Sequence, residues 1–209
     1  MTTLQARTAW IAGALAVFGG GASPAQGSLP RADYRFELTE AAPNTATGLK
    51  LGVFYRHPDD PNRKPPAVTD ISFELPDGLR LDTTAVPSCR ATDGELRVGG
   101  RGACPPASRV GAGSFTAMTG LAGVDPVALD VTVFNGVDQL IELVSFKGTD
   151  TTAGSDRLML AGRRLVAHPP STPGGPPDGR TVVREANVTI PARRTADGRA
   201  YITTPLACP

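Results

Sequence analysis

From residue 33 onward, apolar side chains recur at every second position. Tyr34, Phe36 and Leu38 share one parity, while Arg35, Glu37 and Thr39 take the other. Leu49, Leu51, Val53 and Tyr55 repeat the spacing, as do Ile71, Phe73 and Leu75, and then Val127, Leu129, Val131 and Val133. A period of two belongs to a strand with one buried face, so most of the chain is confined to sheet. Segments 110–117, 139–147, 157–167, 180–190 and 200–203 extend the series. No window carries a helical stripe bounded by caps.

Turn chemistry separates these strands. Pro76-Asp77-Gly78 and Ala196-Asp197-Gly198 place glycine where positive φ is allowed. Asn135-Gly136 between two apolar runs is a hairpin signal that joins 127–134 to 139–147. Two proline-rich stretches, 57–66 and 168–179, read as surface connections rather than domain boundaries. Many short strands with Gly/Pro turns predict an all-β fold, a single β-sandwich of immunoglobulin-like architecture. The Cys…Trp…Cys spacing of true immunoglobulin domains is missing, so that likeness is architectural only. No internal repeat or heptad pattern is present.

The first 25 residues do not alternate. Arg7 precedes an apolar run over 9–18, and small residues follow to Ser23-Pro24-Ala25. This is the three-part pattern of a secretory signal peptide. The run is too short for a bilayer span, which needs about 20 residues. The expected organisation is a signal peptide at 1–25 and one all-β domain over 26–209, exported or held in the cell envelope without a stable transmembrane anchor. Arg7 is the only charged residue of the leader, so the remainder carries 20 basic and 20 acidic residues. A neutral chain lacks the basic footprint of a nucleic-acid binder. Trp10 and Phe18 leave with the signal, and the nine remaining aromatic residues provide few stacking platforms.

The cysteines are Cys89, Cys104 and Cys208. Cys89 and Cys104 stand 15 residues apart among turn residues. In an oxidising compartment they are expected to bridge, at a gain of about 3 kcal/mol in the chain-entropy model. A zinc site needs four close ligands, and neither a C-x-x-C nor a nearby histidine supplies them. Cys208 is then unpaired, which in a secreted protein points to an intermolecular bond or a missing partner.

Catalytic patterns are absent. G-x-S-x-G does not occur. Gly111-Ala112-Gly113-Ser114 fails as a phosphate loop, because Thr116 stands where a third glycine belongs, and reads instead as small residues in a tightly packed strand. His57 and His168 both precede proline in expected loops. Asp59-Asp60 with Asn62 is one candidate calcium loop, and Asp150 and Asp156 around Thr151, Thr152 and Ser155 form another. Neither fits a calcium-loop motif, and turn-forming residues account for both, so no metal or cofactor is assigned. Asn187-Val188-Thr189 matches a glycosylation sequon but lies inside an expected strand.

Segment 75–117 carries three linked elements: Leu75-Pro76-Asp77-Gly78, Val86-Pro87-Ser88-Cys89, and Cys104-Pro105 through Gly113. With the closing Thr203-Thr204-Pro205…Cys208-Pro209, it resembles a group of uncharacterised secreted β-rich proteins from actinobacteria. The resemblance implies export and a β fold, and carries no catalytic residues. Members of that group continue with further strands and a last cysteine. The implication is a C-terminal truncation that leaves Cys208 without its partner.

The expected function is therefore a non-enzymatic binding or structural module whose loops contact an unidentified protein or envelope ligand. Two alternatives stand beside it: a secreted hydrolase built around His57 and Asp59/Asp60, and calcium-dependent adhesion through the acidic loops.

Overall fold

A computed structural model describes residues 31–206. The expected signal peptide at 1–25 and Cys208 lie outside the described residues. Strand accounts for 45% and helix for only 8%, so the chain is all-β as expected. The strands are β1 (Arg31–Leu38), β2 (Leu49–Arg56), β3 (Ile71–Glu74), β4 (Arg80–Leu81), β5 (Arg109–Met118) and β6 (Val127–Asn135). They continue with β7 (Gln139–Phe146), β8 (Thr152–Ala161), β9 (Arg164–Ala167), β10 (Val182–Ile190) and β11 (Ile202–Thr203). Nine of them form one antiparallel sheet in the order β1-β2-β10-β5-β6-β7-β8-β9-β3, and β4 pairs with β11.

Register converts the alternation into one apolar face. Leu51, Val188, Gly113, Val131 and Val144 stand side by side across five strands. Leu49, Phe115, Leu129, Val131, Leu140, Leu158, Leu165 and Val188 belong to a single buried cluster. One core shared by so many strands of one sheet requires that sheet to curl. Its two end strands show the result: Tyr34 on β1 and Phe73 on β3 meet edge to face, with ring centroids 6.3 Å apart. The two layers of the expected sandwich are thus the halves of one continuous curled sheet. Leu75, Leu79, Ala85, Val86, Tyr201 and Ile202 pack into the same cluster from the connections.

β5 carries small residues because β10 lies close beside it. A Cβ on Gly111 would sit 2.7 Å from the Thr189 carbonyl oxygen. The glycines of Gly111-Ala112-Gly113-Ser114 therefore serve packing, as the sequence reading held. The expected strand over 157–167 is in fact a hairpin. It breaks at Gly162, whose φ of +62° suits a residue without a Cβ.

The outer face of β6 and β7 is covered too. Cys89 and Cys104 form the expected disulfide, with Cα atoms 5.0 Å apart. The loop they close contains the helix α1 (Asp93–Gly99). Leu96 of α1 is fully buried against Phe134, Ile141 and Leu143. Helical periodicity did not reveal α1, because seven residues are too few for a stripe. Its local signal is the capping box Thr92-x-x-Glu95, in which the Thr92 hydroxyl and the Glu95 carboxylate each accept the other residue's N–H.

Two polar contacts fasten the connections to the sheet. Asn135 has no exposed surface. Its Nδ2 lies 2.9 Å from the Thr83 carbonyl, 3.2 Å from that of Val86 and 3.3 Å from that of Pro87, and its Oδ1 accepts the Tyr201 hydroxyl at 3.1 Å. The Asn135-Gly136 turn does join β6 to β7, but the residue with positive φ is Asp138, at +53°. Lys64, 4% exposed at its side chain, reaches from the first proline loop into the second. Its ammonium donates to Asp178 Oδ1 at 2.5 Å and to the Gly175 carbonyl at 3.0 Å.

Asn135→Ala is expected to cost about 2–4 kcal/mol in urea unfolding, because it strands a buried hydroxyl and several carbonyls. Tyr201→Phe removes one of those bonds and costs about 1 kcal/mol. The hydrogen bond from Lys64 holds the Asp178 carboxyl down from 3.8 to about 2. A depressed carboxylate contributes stability above its unfolded pKa and loses it as pH falls through the folded value. Acid unfolding of the wild type is expected to steepen between about pH 4 and pH 2, and Asp178→Asn flattens that limb while lowering stability at neutral pH.

Candidate functional site

The segment from Ser88 to Pro105 combines rigid support with an open face. Its ends are joined by the disulfide, and Cys89 N–H donates to the Asn135 carbonyl at 2.7 Å. The inner side of α1 is nailed down by Leu96. Its N-terminus is held from β8: Arg157 donates from Nε to Asp93 Oδ1 at 2.9 Å and from Nη2 to the Ala91 carbonyl at 2.7 Å. Ser155 Oγ adds a bond to the same Asp93 oxygen at 3.2 Å. Arg101 pairs with Asp150 on the loop before β8. These ties leave the outward side unobstructed. An open groove of about 830 Å³ runs along it, lined by Arg90, Ala91, Glu95, Val98, Ala103 and Pro105 among others. Val98 is 91% exposed, a large apolar side chain on a seven-residue helix that no described residue covers.

A second chemical feature faces inward. Register places Val133, Glu142 and Asp156 in one row on the core side of β6, β7 and β8. Burial raises the Glu142 carboxyl from 4.5 to about 8, with the neighbouring Asp156 adding to the shift. Burial also raises Asp156; its bond from the Arg157 amide opposes that, Asp93 adds to it, and His168 offsets part of it. Like charges on adjacent strands favour a protonated member of the pair.

The residues singled out from sequence fall elsewhere. His57 Nδ1 accepts the Asp59 amide at 3.2 Å, and Asp60 Oδ1 accepts the Asn62 amide at 2.9 Å. Both bonds are local turn closures. Asp150 stays on the surface with Arg101 in the loop before β8, while Asp156, six residues on, lies within β8 in the core-side row, so the two do not share a site. Thr152 Oγ1 lies 3.5 Å from the Leu96 carbonyl and Ser155 bonds Asp93, so these hydroxyls support α1. Among the described residues, no group of three or more His, Cys, Asp or Glu side chains is placed to hold a metal ion. His168 has a partner the sequence did not suggest. Its Nδ1 lies 2.8 Å from Asp70 Oδ1, and Thr69 Oγ1 donates to the other oxygen at 2.7 Å. Both partners are exposed, and among the described residues no hydroxyl or thiol bonds either histidine.

No protein family, no curated protein and no solved structure matches the chain. Among the described residues, no helix is long and apolar enough to cross a membrane.

The raised Glu142 carboxyl has a measurable consequence. Below its ordinary value of 4.5 both states are protonated and no cost arises. Between 4.5 and about 8 the unfolded chain ionises while the folded chain keeps its proton, so stability falls as pH rises. Glu142→Gln is expected to raise the melting temperature at about pH 8.5 and change it little at about pH 4, where the residue is already neutral.

Proposed function

We propose that the chain is an exported, non-enzymatic β-sandwich module that acts by binding or as a structural component at the cell envelope, with the disulfide-braced α1 segment as its contact surface. The observation that carries this reading is the contrast on α1. Leu96 is fully buried, and Asp93 and the Ala91 carbonyl are pinned by Arg157, yet Val98 is 91% exposed beside an open groove. A surface held rigid before contact loses little conformational freedom on binding. Arg90 and Glu95 give the groove one charge of each sign around an apolar floor. The disulfide and the leader-like first 25 residues support an extracytoplasmic location. The resemblance of segment 75–117 to secreted actinobacterial proteins supports it as well.

The test compares the wild type with Val98→Asp and Arg90→Glu for binding to isolated envelope material from the producing cell. Retention of the wild type and at least roughly tenfold weaker binding by both variants, at unchanged melting temperature, is the expected result. Equal retention of all three removes the α1 surface from the reading. Hydrolysis of general ester, peptide or glycoside substrates that disappears in His57→Ala or His168→Ala overturns the non-enzymatic assignment.

A further inference from the structure

Strand β1 ends the nine-stranded sheet: β2 lies on one side, and among the described residues no strand lies on the other. The opposite end strand, β3, has only four residues, and Pro76 follows two positions beyond it. Short length and proline are two of the devices that keep an edge from pairing. β1 runs for eight residues, RADYRFEL, with no proline within it. Its core-side residues include no charge, and two of them are poorly covered, Tyr34 at 65% and Phe36 at 39% exposure.

The charges on the other face of β1 alternate in sign: Asp33, Arg35, Glu37. Guarding an edge against itself calls for like charges, and this row mixes both signs. We infer that β1 is a self-recognition edge, on which a second copy of the chain adds antiparallel and continues the sheet across a two-fold axis at Tyr34.

The register follows from the signs. With Tyr34 opposite Tyr34, each Asp33 faces an Arg35, giving two opposite-charge pairs. Shifting the axis by one residue toward Asp33 sets Asp33 against Asp33. Shifting it toward Arg35 sets Arg35 against Arg35 and Asp33 against Glu37. Like charges directly opposite are destabilising, so both neighbouring registers are disfavoured. The chosen register also brings Phe36 over Ala32 of the second copy and the two Tyr34 rings together. Within one chain these charges are loosely engaged. Asp33 lies 3.7 Å from Arg56, and Arg35 lies 4.0 Å from Glu37.

The experiment is sedimentation equilibrium from micromolar to millimolar concentration. It uses the full chain carrying Cys208→Ser, so that no thiol bond mimics the edge contact. The Cys208→Ser chain is expected to dimerise reversibly. Asp33→Arg makes positions 33 and 35 both positive, and Arg35→Asp makes both negative. Each variant alone is expected to self-associate about tenfold more weakly or worse, since two attractive pairs become repulsive. Mixed one to one, they recover complementary pairs at every position and are expected to form a heterodimer. Circular dichroism melting of each variant checks that it is folded. A chain that stays monomeric over the whole range overturns the inference. So does a dimer that the single variants leave unchanged, or a mixture that associates no better than its components.

Discussion

The carboxamide of Asn135 sits where three parts of the chain converge. β6 ends at this residue, the connection over 83–88 crosses it, and Tyr201 arrives from the C-terminal region. Burying such a group without partners costs free energy comparable to a lost hydrogen bond or more, so each segment is held to the position that supplies a partner. Its backbone carbonyl then takes the Cys89 amide, which sets the start of the disulfide loop. The position of α1, and with it the exposed Val98, follows from that placement. One fully buried polar side chain thus links the closure of the core to the presentation of the outer surface.

The sheet is used differently on its two faces. Inside, the curl gathers apolar residues from both halves into one cluster, and the row through Val133 brings in the Glu142–Asp156 pair. That pair is a standing cost at neutral pH, since burial and like charge both oppose ionisation. Outside, the only α-helix among the described residues covers β6 and β7, and the proline loops are tied to each other by Lys64 and Asp178. The rigid outer surface and the open β1 edge are separate features, one formed within the disulfide loop and the other by the alternation of a single strand.

Much of this was legible along the chain. The parity of Tyr34, Phe36 and Leu38, of Leu49 and Leu51, and of Val127 to Val133 named the core face before any pairing was known. The Cys89–Cys104 bridge followed from spacing and turn context. Asn135 was read correctly as a turn residue between paired strands, but the reason for it differs. Positive φ falls on Asp138, and asparagine is needed for its side-chain bonds. Asp150 and Asp156 look like one acidic cluster in the sequence. Asp150 precedes β8 and pairs with Arg101 at the surface, whereas Asp156 sits within β8 on the core side, so the cluster does not exist in space. His168 gave no hint of Asp70, since 98 residues separate them.

The sequence by itself determined that the chain is all-β, many of the side chains that face inward, several of the turns and which cysteines bridge. Those properties depend on local periodicity, backbone preference and short spacing. Only the tertiary structure decided that one sheet supplies both layers, that β10 lies between β2 and β5, and that Lys64 joins two distant loops. It also decided that α1 shields the outer face of β6 and β7, and that Glu142 and Asp156 share a row. These depend on which strands pair and how far the sheet curls. That outcome is set by the summed packing and hydrogen bonding of residues far apart in the chain, and no local pattern encodes it.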